Sequence, residues 1–142
     1  MTAFGPIAMI DRPDRAIVAR LGDEITAFNF ASTDIHDGVE FFAAVRDGDG
    51  ELVAGIYGWT WGGTAWIERL WVHERHRGQR IGTDLLVAAE NEARTRGCNQ
   101  IALTTHSFQA PEFYRRHGFD VVGQIAGYPA GHTYLLMRRR LT

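Results

Sequence analysis

A basic turn with two glycines, Arg75-His76-Arg77-Gly78-Gln79-Arg80-Ile81-Gly82, stands between an apolar strand-like stretch, Trp66 to Val72, and a helix-like stretch, Thr83 to Arg96. This succession constrains the fold more than any other feature, because a strand that runs through a tight turn into a helix opens a βαβ unit. It also makes an anion site. The N–H groups of a first helical turn have no intrahelical partner, and the helix dipole favours negative charge there. Gly78 and Gly82 let a bulky anion approach the main chain, and Arg77 and Arg80 add charged donors. A phosphate or pyrophosphate suits such a place. A solvated basic turn with incidental glycines is the reading that this segment alone leaves open.

The rest of the chain supplies the elements around that unit. Ile7 to Ile10, after Gly5-Pro6, predicts a short first strand. Pro13 suits the first position of a helix, and Ala16, Ile17, Val18, Leu21, Ile25 and Phe28 recur at helical spacing. Gly22 with Asp23-Glu24 is expected to bend or interrupt that helix, and Asn29 to Gly38 reads as loop. Strands follow at Glu40 to Arg46, Glu51 to Thr60 and Thr64 to His73, separated by Asp47-Gly48-Asp49-Gly50 and Gly62-Gly63. Such turns predict an antiparallel meander. In the helix Ile81 to Arg96, an apolar stripe of Ile81, Leu85, Leu86, Ala89 and Ala93 leaves Asp84, Glu90, Glu92 and Arg94 mostly to one side. Gly97 is a plausible stop. Ile101 to Thr105 is a short strand, Ala110 to His117 a short helix ended by Gly118, and Phe119 to Ile125 and Thr133 to Arg139 are the last strands. The order is β-α-β-β-β-α-β-α-β-β, an α/β chain with helices on a mixed sheet. Thr64–His73 and Gln100–Thr105 should be parallel neighbours.

Length and charge narrow the function classes. At 142 residues without a repeat or linker, the expectation is one domain, 1–142. A formal net charge of −2 argues against a non-specific nucleic-acid binder. No apolar run approaches the roughly 20 residues of a membrane span, and Met1 to Asp11 lacks the pattern of a signal peptide. The single cysteine, Cys98, excludes an internal disulfide and a multi-cysteine metal site, and weakly favours a cytoplasmic compartment. The histidines are scattered, so no metal is expected. A G-x-G-x-x-G dinucleotide site fails on glycine spacing, and a Walker A loop fails for want of Gly-Lys-Ser/Thr.

Two motifs then carry a resemblance. Arg77-Gly78-Gln79-Arg80-Ile81-Gly82 is similar to the Q/R-x-x-G-x-G/A pyrophosphate motif of the GNAT superfamily of acetyl-CoA-dependent N-acetyltransferases, matching at Arg77 and Gly82, with Arg80 where the middle glycine usually stands. Phe113-Tyr114-Arg115-Arg116-His117-Gly118-Phe119 resembles the family's F/L-Y-x-x-x-G-F segment. The order of elements over nearly the whole chain is also the family's.

The resemblance implies a GNAT-like fold with splayed central parallel strands, acetyl-CoA as co-substrate and direct attack of an amine on the thioester. Such chemistry needs a deprotonated amine, a polarised carbonyl and a protonated leaving thiolate. Glu68 holds the family's base position on the strand Thr64–His73; strand alternation groups it with the apolar Trp66, Leu70 and Val72, where desolvation would raise its pKa. Pairing with Arg69 or orienting the substrate are its other readings. Tyr114 is the candidate acid, since a phenol near ~10 serves a thiol near ~8.5 with small adjustments. Leu70, Trp71 and Val72 should hold the pantetheine arm through their backbone. Gly78, Gln79, Arg80, Ile81, Gly82 and Thr83, with Arg77, should hold the pyrophosphate. Ser107 stands where many relatives have an asparagine that touches the cofactor arm.

By the same resemblance, Asn29, Trp59, Trp61, Trp66, Tyr128 and His132 flank the acceptor. Aromatic walls can hold a cation or a sugar face; core packing is the alternative for each. Glu40, Asp34 and Asp37 are candidate ammonium partners, with surface solvation as the alternative. The leading expectation is acetyl transfer to a primary amine of a small molecule, such as an amino sugar or aminoglycoside-like antibiotic. The alternatives are acetylation of protein N-termini or lysines, and a non-catalytic acyl-CoA-binding module. The family also implies a homodimer.

Overall fold

The computed structural model describes residues 3–142 and divides into two compact units, the first ending at Ile35 and the second running from His36 to Thr142. In the first, α1 (Arg15–Thr33) is capped by Asp14, whose carboxylate accepts from the N–H groups of Ala16 and Ile17. It runs through Gly22 without a break and takes in Asn29 to Thr33, a segment that reads as loop in the sequence. One interior glycine costs about 1 kcal/mol relative to alanine, too little to end a helix of 19 residues with a cap. The Thr33 hydroxyl donates to the Asn29 carbonyl at 2.8 Å and ties the last turn down. Residues 7–10 form no strand, because an extended segment needs a ladder partner and its own unit holds none.

The second unit is a six-stranded sheet. β1 (Val39–Arg46), β2 (Leu52–Trp61) and β3 (Thr64–Val72) make the expected meander. A 3-10 turn, Glu74–His76, leads to α2 (Ile81–Thr95), then come β4 (Gln100–His106), α3 (Pro111–Arg116), β5 (Asp120–Ala126) and β6 (Thr133–Arg140). The strand order is β1-β2-β3-β4-β6-β5, with β3 and β4 the parallel pair. The strand expected to be fourth in the chain is therefore β3.

The stripe of α2 faces the sheet. Leu85, Leu86, Ala89 and Ala93 are buried in one cluster with Ala54, Ile56, Ala65, Ile67, Ile101, Leu103, Phe119 and Met137. Glu90, which the helical pattern sets to one side of the stripe, is also buried, and Arg139 of β6 meets it at 2.7 Å. A carboxylate at that depth needs such a partner.

One irregularity sets the face of everything after it on β3. The β2–β3 register pairs Tyr57 with Arg69 and Gly58 with Ile67, leaving Glu68 as an extra residue in a bulge. Ala65 and Ile67 point to the core before the bulge, and Leu70 and Val72 pack against it afterwards. Simple alternation fails here, and Glu68 does not share a face with Leu70 and Val72. Gly58 accommodates the bulge, because a Cβ there would lie 2.0 Å from the Trp66 carbonyl oxygen and 2.6 Å from the Phe41 ring.

Candidate active site

The bulge begins where the central ladder ends. β3 pairs with β4 over Thr64–Ile67 and Gln100–Leu103, and no pair follows. A bulge increases local strand twist, so Glu68–Val72 turn away from Thr104–His106 and leave an opening inside the sheet. The backbone of Leu70, Trp71 and Val72 stays paired to β2 on one side, while the side toward β4 has no strand partner. An extended arm with amide groups fits such an edge, because each unpaired N–H and C=O wants a partner.

At the end of this opening lies the basic turn. Arg80 is the N-cap of α2 and adopts the left-handed conformation, φ 65° and ψ 11°. This is the place of the motif's middle glycine, and the backbone angle accounts for that preference: positive φ suits glycine and strains most other residues. Arg80 keeps the required backbone without the usual residue. Its side chain makes no cap bond, so the amino end of α2 at Ile81, Gly82 and Thr83 is not closed by it. Gly78 is also at positive φ, with no atom within 4 Å of the Cβ it lacks. A Cβ at Gly82 would meet Phe113 and Val72 at ordinary contact distance, 3.5 and 3.6 Å, so α2, α3 and β3 come together at this residue. Arg77 donates from Nε to the Val72 carbonyl at 3.1 Å and holds the turn against β3; Gln79 is exposed on the turn. The open amino end, the roomy Gly78 and the opened ladder fit a cofactor with a pyrophosphate and an extended amide arm.

Tyr114 lies on the core side of the opening. It is buried between Phe113 and Phe119, with ring centroids at 5.1 and 5.7 Å. Burial pushes its phenol up to about 12, so it stays protonated at neutral pH. Glu68 lies on the other face of the sheet. It is exposed, and the Trp66 indole donates to its Oε2 at 2.8 Å. The apolar surround expected from strand alternation is not there, since the bulge moves Glu68 away from Leu70 and Val72. Trp59 faces Trp66 across β2 and β3, and Tyr57 meets Trp59 edge-on at 6.1 Å. The Tyr57 hydroxyl donates to Glu40 at 2.5 Å. That bond raises the Tyr57 pKa first, then burial and the charges of Glu40 and Glu68, against the opposing pull of Arg69.

Other expected residues are placed differently. The Ser107 hydroxyl accepts from the Thr133 N–H at 3.0 Å, so the residue joins the ends of β4 and β6. It lines a groove of about 510 Å³ together with Gln109, Pro111, Arg115 and Gln124. Trp61 lines a separate hollow with Thr60, Arg96 and Cys98, away from the pair formed by Trp59 and Trp66. Burial raises the Cys98 thiol pKa. Asn29 belongs to the first unit, in α1. Among the described residues, no group of three or more His, Cys, Asp or Glu side chains is arranged to hold a metal ion. Among the same residues, no helix is long and apolar enough to cross a membrane.

Tyr128 and His132 belong to a ring cluster whose centre the sequence reading missed. His106, the last residue of β4, is stacked on Phe108 at 5.2 Å and lies 4.4 Å from Tyr134 and 5.3 Å from Tyr128. His132 meets Phe108 at 4.9 Å. The buried Ile101, Leu103 and Thr105 alternate with the half-buried Ala102, Thr104 and His106. That alternation was the available sign that His106 faces away from the core, on the face of Glu68.

The chain matches the Acetyltransferase (GNAT) family over residues 8–119. It belongs to the GNAT family of acetyltransferases. It is 30% identical over 130 residues to an acetyltransferase of Agrobacterium fabrum, covering 92% of this chain and 95% of that one. It is 36% identical over 108 residues to the blasticidin-S acetyltransferase of Streptomyces morookaense, covering 72% and 77%. A crystal structure from Agrobacterium tumefaciens, described as an acetyltransferase, has a TM-score of 0.86 and 29% identity over 96% of this GNAT chain and 99% of its own. This GNAT protein is thus an acyltransferase of mixed α/β fold, and its family uses acetyl-CoA as co-substrate.

Proposed function

We propose that the protein is a single-domain N-acetyltransferase that moves the acetyl group of acetyl-CoA onto a primary amine of a small molecule, with amino sugars and aminoglycoside-like antibiotics as the first class to test. The observation that carries this reading is the ladder opened at Ile67 and Leu103, with an exposed carboxylate on one face and a buried phenol on the other. The small-molecule acceptor draws its support from the relative that acts on blasticidin S.

When bound, acetyl-CoA supplies the acetyl group as a thioester. Gly78, Gln79, Arg80, Ile81, Gly82 and Thr83 hold its pyrophosphate through the turn and the amino end of α2, with the terminal groups of Arg77 beside them. The backbone of Leu70, Trp71 and Val72 holds the amide arm and supplies an N–H to polarise the carbonyl. Glu68 draws in the ammonium group of the acceptor between Trp59 and Trp66. Tyr128 and His132 complete the acceptor side, and Ser107 steadies the mouth of the opening.

Tyr114 serves as the acid in a restricted sense. A phenol at about 12 stands some 3.5 units above a thiol of ~8.5, so complete transfer to a free thiolate is uphill by about 5 kcal/mol. Tyr114 therefore donates a hydrogen bond to the charge that grows on sulfur, and its proton follows only as that charge becomes basic enough.

A coenzyme A release assay with acetyl-CoA tests the reading against amino sugars, aminoglycosides, polyamines and peptides. Turnover is expected with a small amine. Turnover confined to peptide N-termini or lysines would replace it with protein acetylation. Tight acetyl-CoA binding with background release across the panel would replace it with a binding module. The reading also carries a cytoplasmic location and a homodimer, the latter measured by light scattering of the eluting protein.

A further inference from the structure

A second basic group stands on the acceptor face, across the opening from Glu68. The last ladder pair, Ile67 with Leu103, points into the core on both strands, so the outward positions beyond it are Glu68 on β3 and Thr104 and His106 on β4. Glu68 is one residue past the pair and His106 three. Four features fix the His106 ring: the stacked Phe108, the tilted Tyr134, the edge-on Tyr128, and the contact of Nδ1 with the Tyr128 carbonyl at 3.1 Å. Tyr134 is itself held by donating its hydroxyl to Thr104 at 2.6 Å.

The contact at Nδ1 decides the protonation pattern. A carbonyl oxygen only accepts, so Nδ1 must carry a proton to bond with it. In the neutral ring the other nitrogen, Nε2, then bears a lone pair. Among the described residues nothing bonds to Nε2, and the residue is half-buried. Glu68 differs in both respects, being exposed and already holding the Trp66 indole.

We propose that His106 is the catalytic base of the acetyl transfer and that Glu68 is the group that attracts the ammonium ion. This rests on the N-acetyltransferase reading above. An N–H bond of the bound ammonium breaks, its proton goes to Nε2, and its electron pair stays on nitrogen. That pair forms the N–C bond while the C–S bond breaks and sulfur leaves with the bonding pair. Tyr114 supplies the proton that sulfur needs, the second N–H proton of the former amine restores the phenol, and His106 returns its proton to water. The net result is an amide, a thiol and one released proton. The titratable groups facing His106 are Tyr134 from β6 and Tyr128 from the β5–β6 loop, with His132 behind Phe108 and Glu68 on β3.

His106→Asn tests this directly, because an asparagine amide can still donate to the Tyr128 carbonyl while offering no base in place of Nε2. With the best amine from the screen, kcat is expected to fall about 100-fold or more, with the KM for acetyl-CoA unchanged. Imidazole added to His106→Gly should restore part of the rate, whereas Glu68→Gln should act chiefly on the KM for the amine. Nitrogen-edited NMR of the wild-type ring should report the proton on Nδ1 and none on Nε2. Asparagine turnover within twofold of wild type, failure of imidazole to restore any rate, or a proton on Nε2 alone overturns the assignment. If the wild-type protein turns over no amine, the function proposed above fails and this assignment fails with it.

Discussion

β3 is one strand with two different halves. From Thr64 to Ile67 it is paired on both sides, antiparallel to β2 and parallel to β4; from Arg69 to Val72 it is paired to β2 alone. Both halves carry large apolar residues, Trp66 and Ile67 in the first, Leu70, Trp71 and Val72 in the second, so hydropathy does not distinguish them. One extra residue does. The bulge at Glu68 twists the strand out of its second ladder, and the edge that results can receive an extended ligand. On the function proposed above, the site is made by a change in backbone pairing, with the exposed Glu68 and the buried Tyr114 on its two faces.

The largest effect should come from removing the space that admits the bulge. In Gly58→Ala, the added Cβ strikes the Trp66 carbonyl and the Phe41 ring, so the meander must shift or the bulge must be lost. A loss of about 3 kcal/mol in urea unfolding is expected, with acetyl-CoA binding weakened in whatever protein remains folded. An unchanged midpoint would mean that the two halves of β3 do not depend on this glycine.

The next effect concerns the buried side of the opening. Tyr114→Phe should lower kcat about 100-fold with little change in either KM, measured by coenzyme A release. The same residue makes a prediction about pH. Its folded pKa, about 12, lies above the unfolded value of 10.0, so its contribution to stability is complete below about 10 and is lost as pH rises toward 12. Two units correspond to about 3 kcal/mol. Unfolding midpoints measured from pH 9 to 11.5 should fall less steeply in the phenylalanine variant. Parallel slopes would place Tyr114 in a more solvated setting than its packing indicates.

Glu68→Gln touches the exposed side. The Trp66 indole can still donate to an amide oxygen, so the bulge should persist, and an increase of about tenfold in the KM for the amine is expected from the lost charge. A comparable fall in kcat with KM unchanged would make Glu68 itself the base.

Much of this was legible in the sequence, for reasons that differ by region. The turn from Arg77 to Gly82 and the segment Phe113–Phe119 are local signals, in which spacing and residue type carry the meaning, and the meander was marked by its glycine turns. The bulge was not legible, because its sign is the absence of a side chain at Gly58, on another strand. Without it, alternation puts Leu70 and Val72 on the face of Trp66 and Glu68. The ring cluster was half legible: Tyr128 and His132 are close in sequence, but His106, Phe108 and Tyr134 join them only through the pairing of β4 with β6. Asn29 was misread as loop because the apolar recurrence read for this helix ends at Phe28, whereas α1 continues to Thr33.

The smallest effect tests how much of the cradle is backbone. A non-glycine residue held in the left-handed conformation costs about 1–2 kcal/mol, while glycine gives back about 0.4–1 kcal/mol through a freer unfolded chain. Arg80→Gly should therefore stabilise the protein by about 0–1.6 kcal/mol. If Arg80 contributes only its main-chain conformation at the start of α2, the KM for acetyl-CoA will stay within twofold of wild type. A tenfold rise that shrinks at high salt would instead reveal a direct bond from the exposed guanidinium to a phosphate oxygen. The second half of β3 would then open onto a cradle built from a side chain as well as from the helix end.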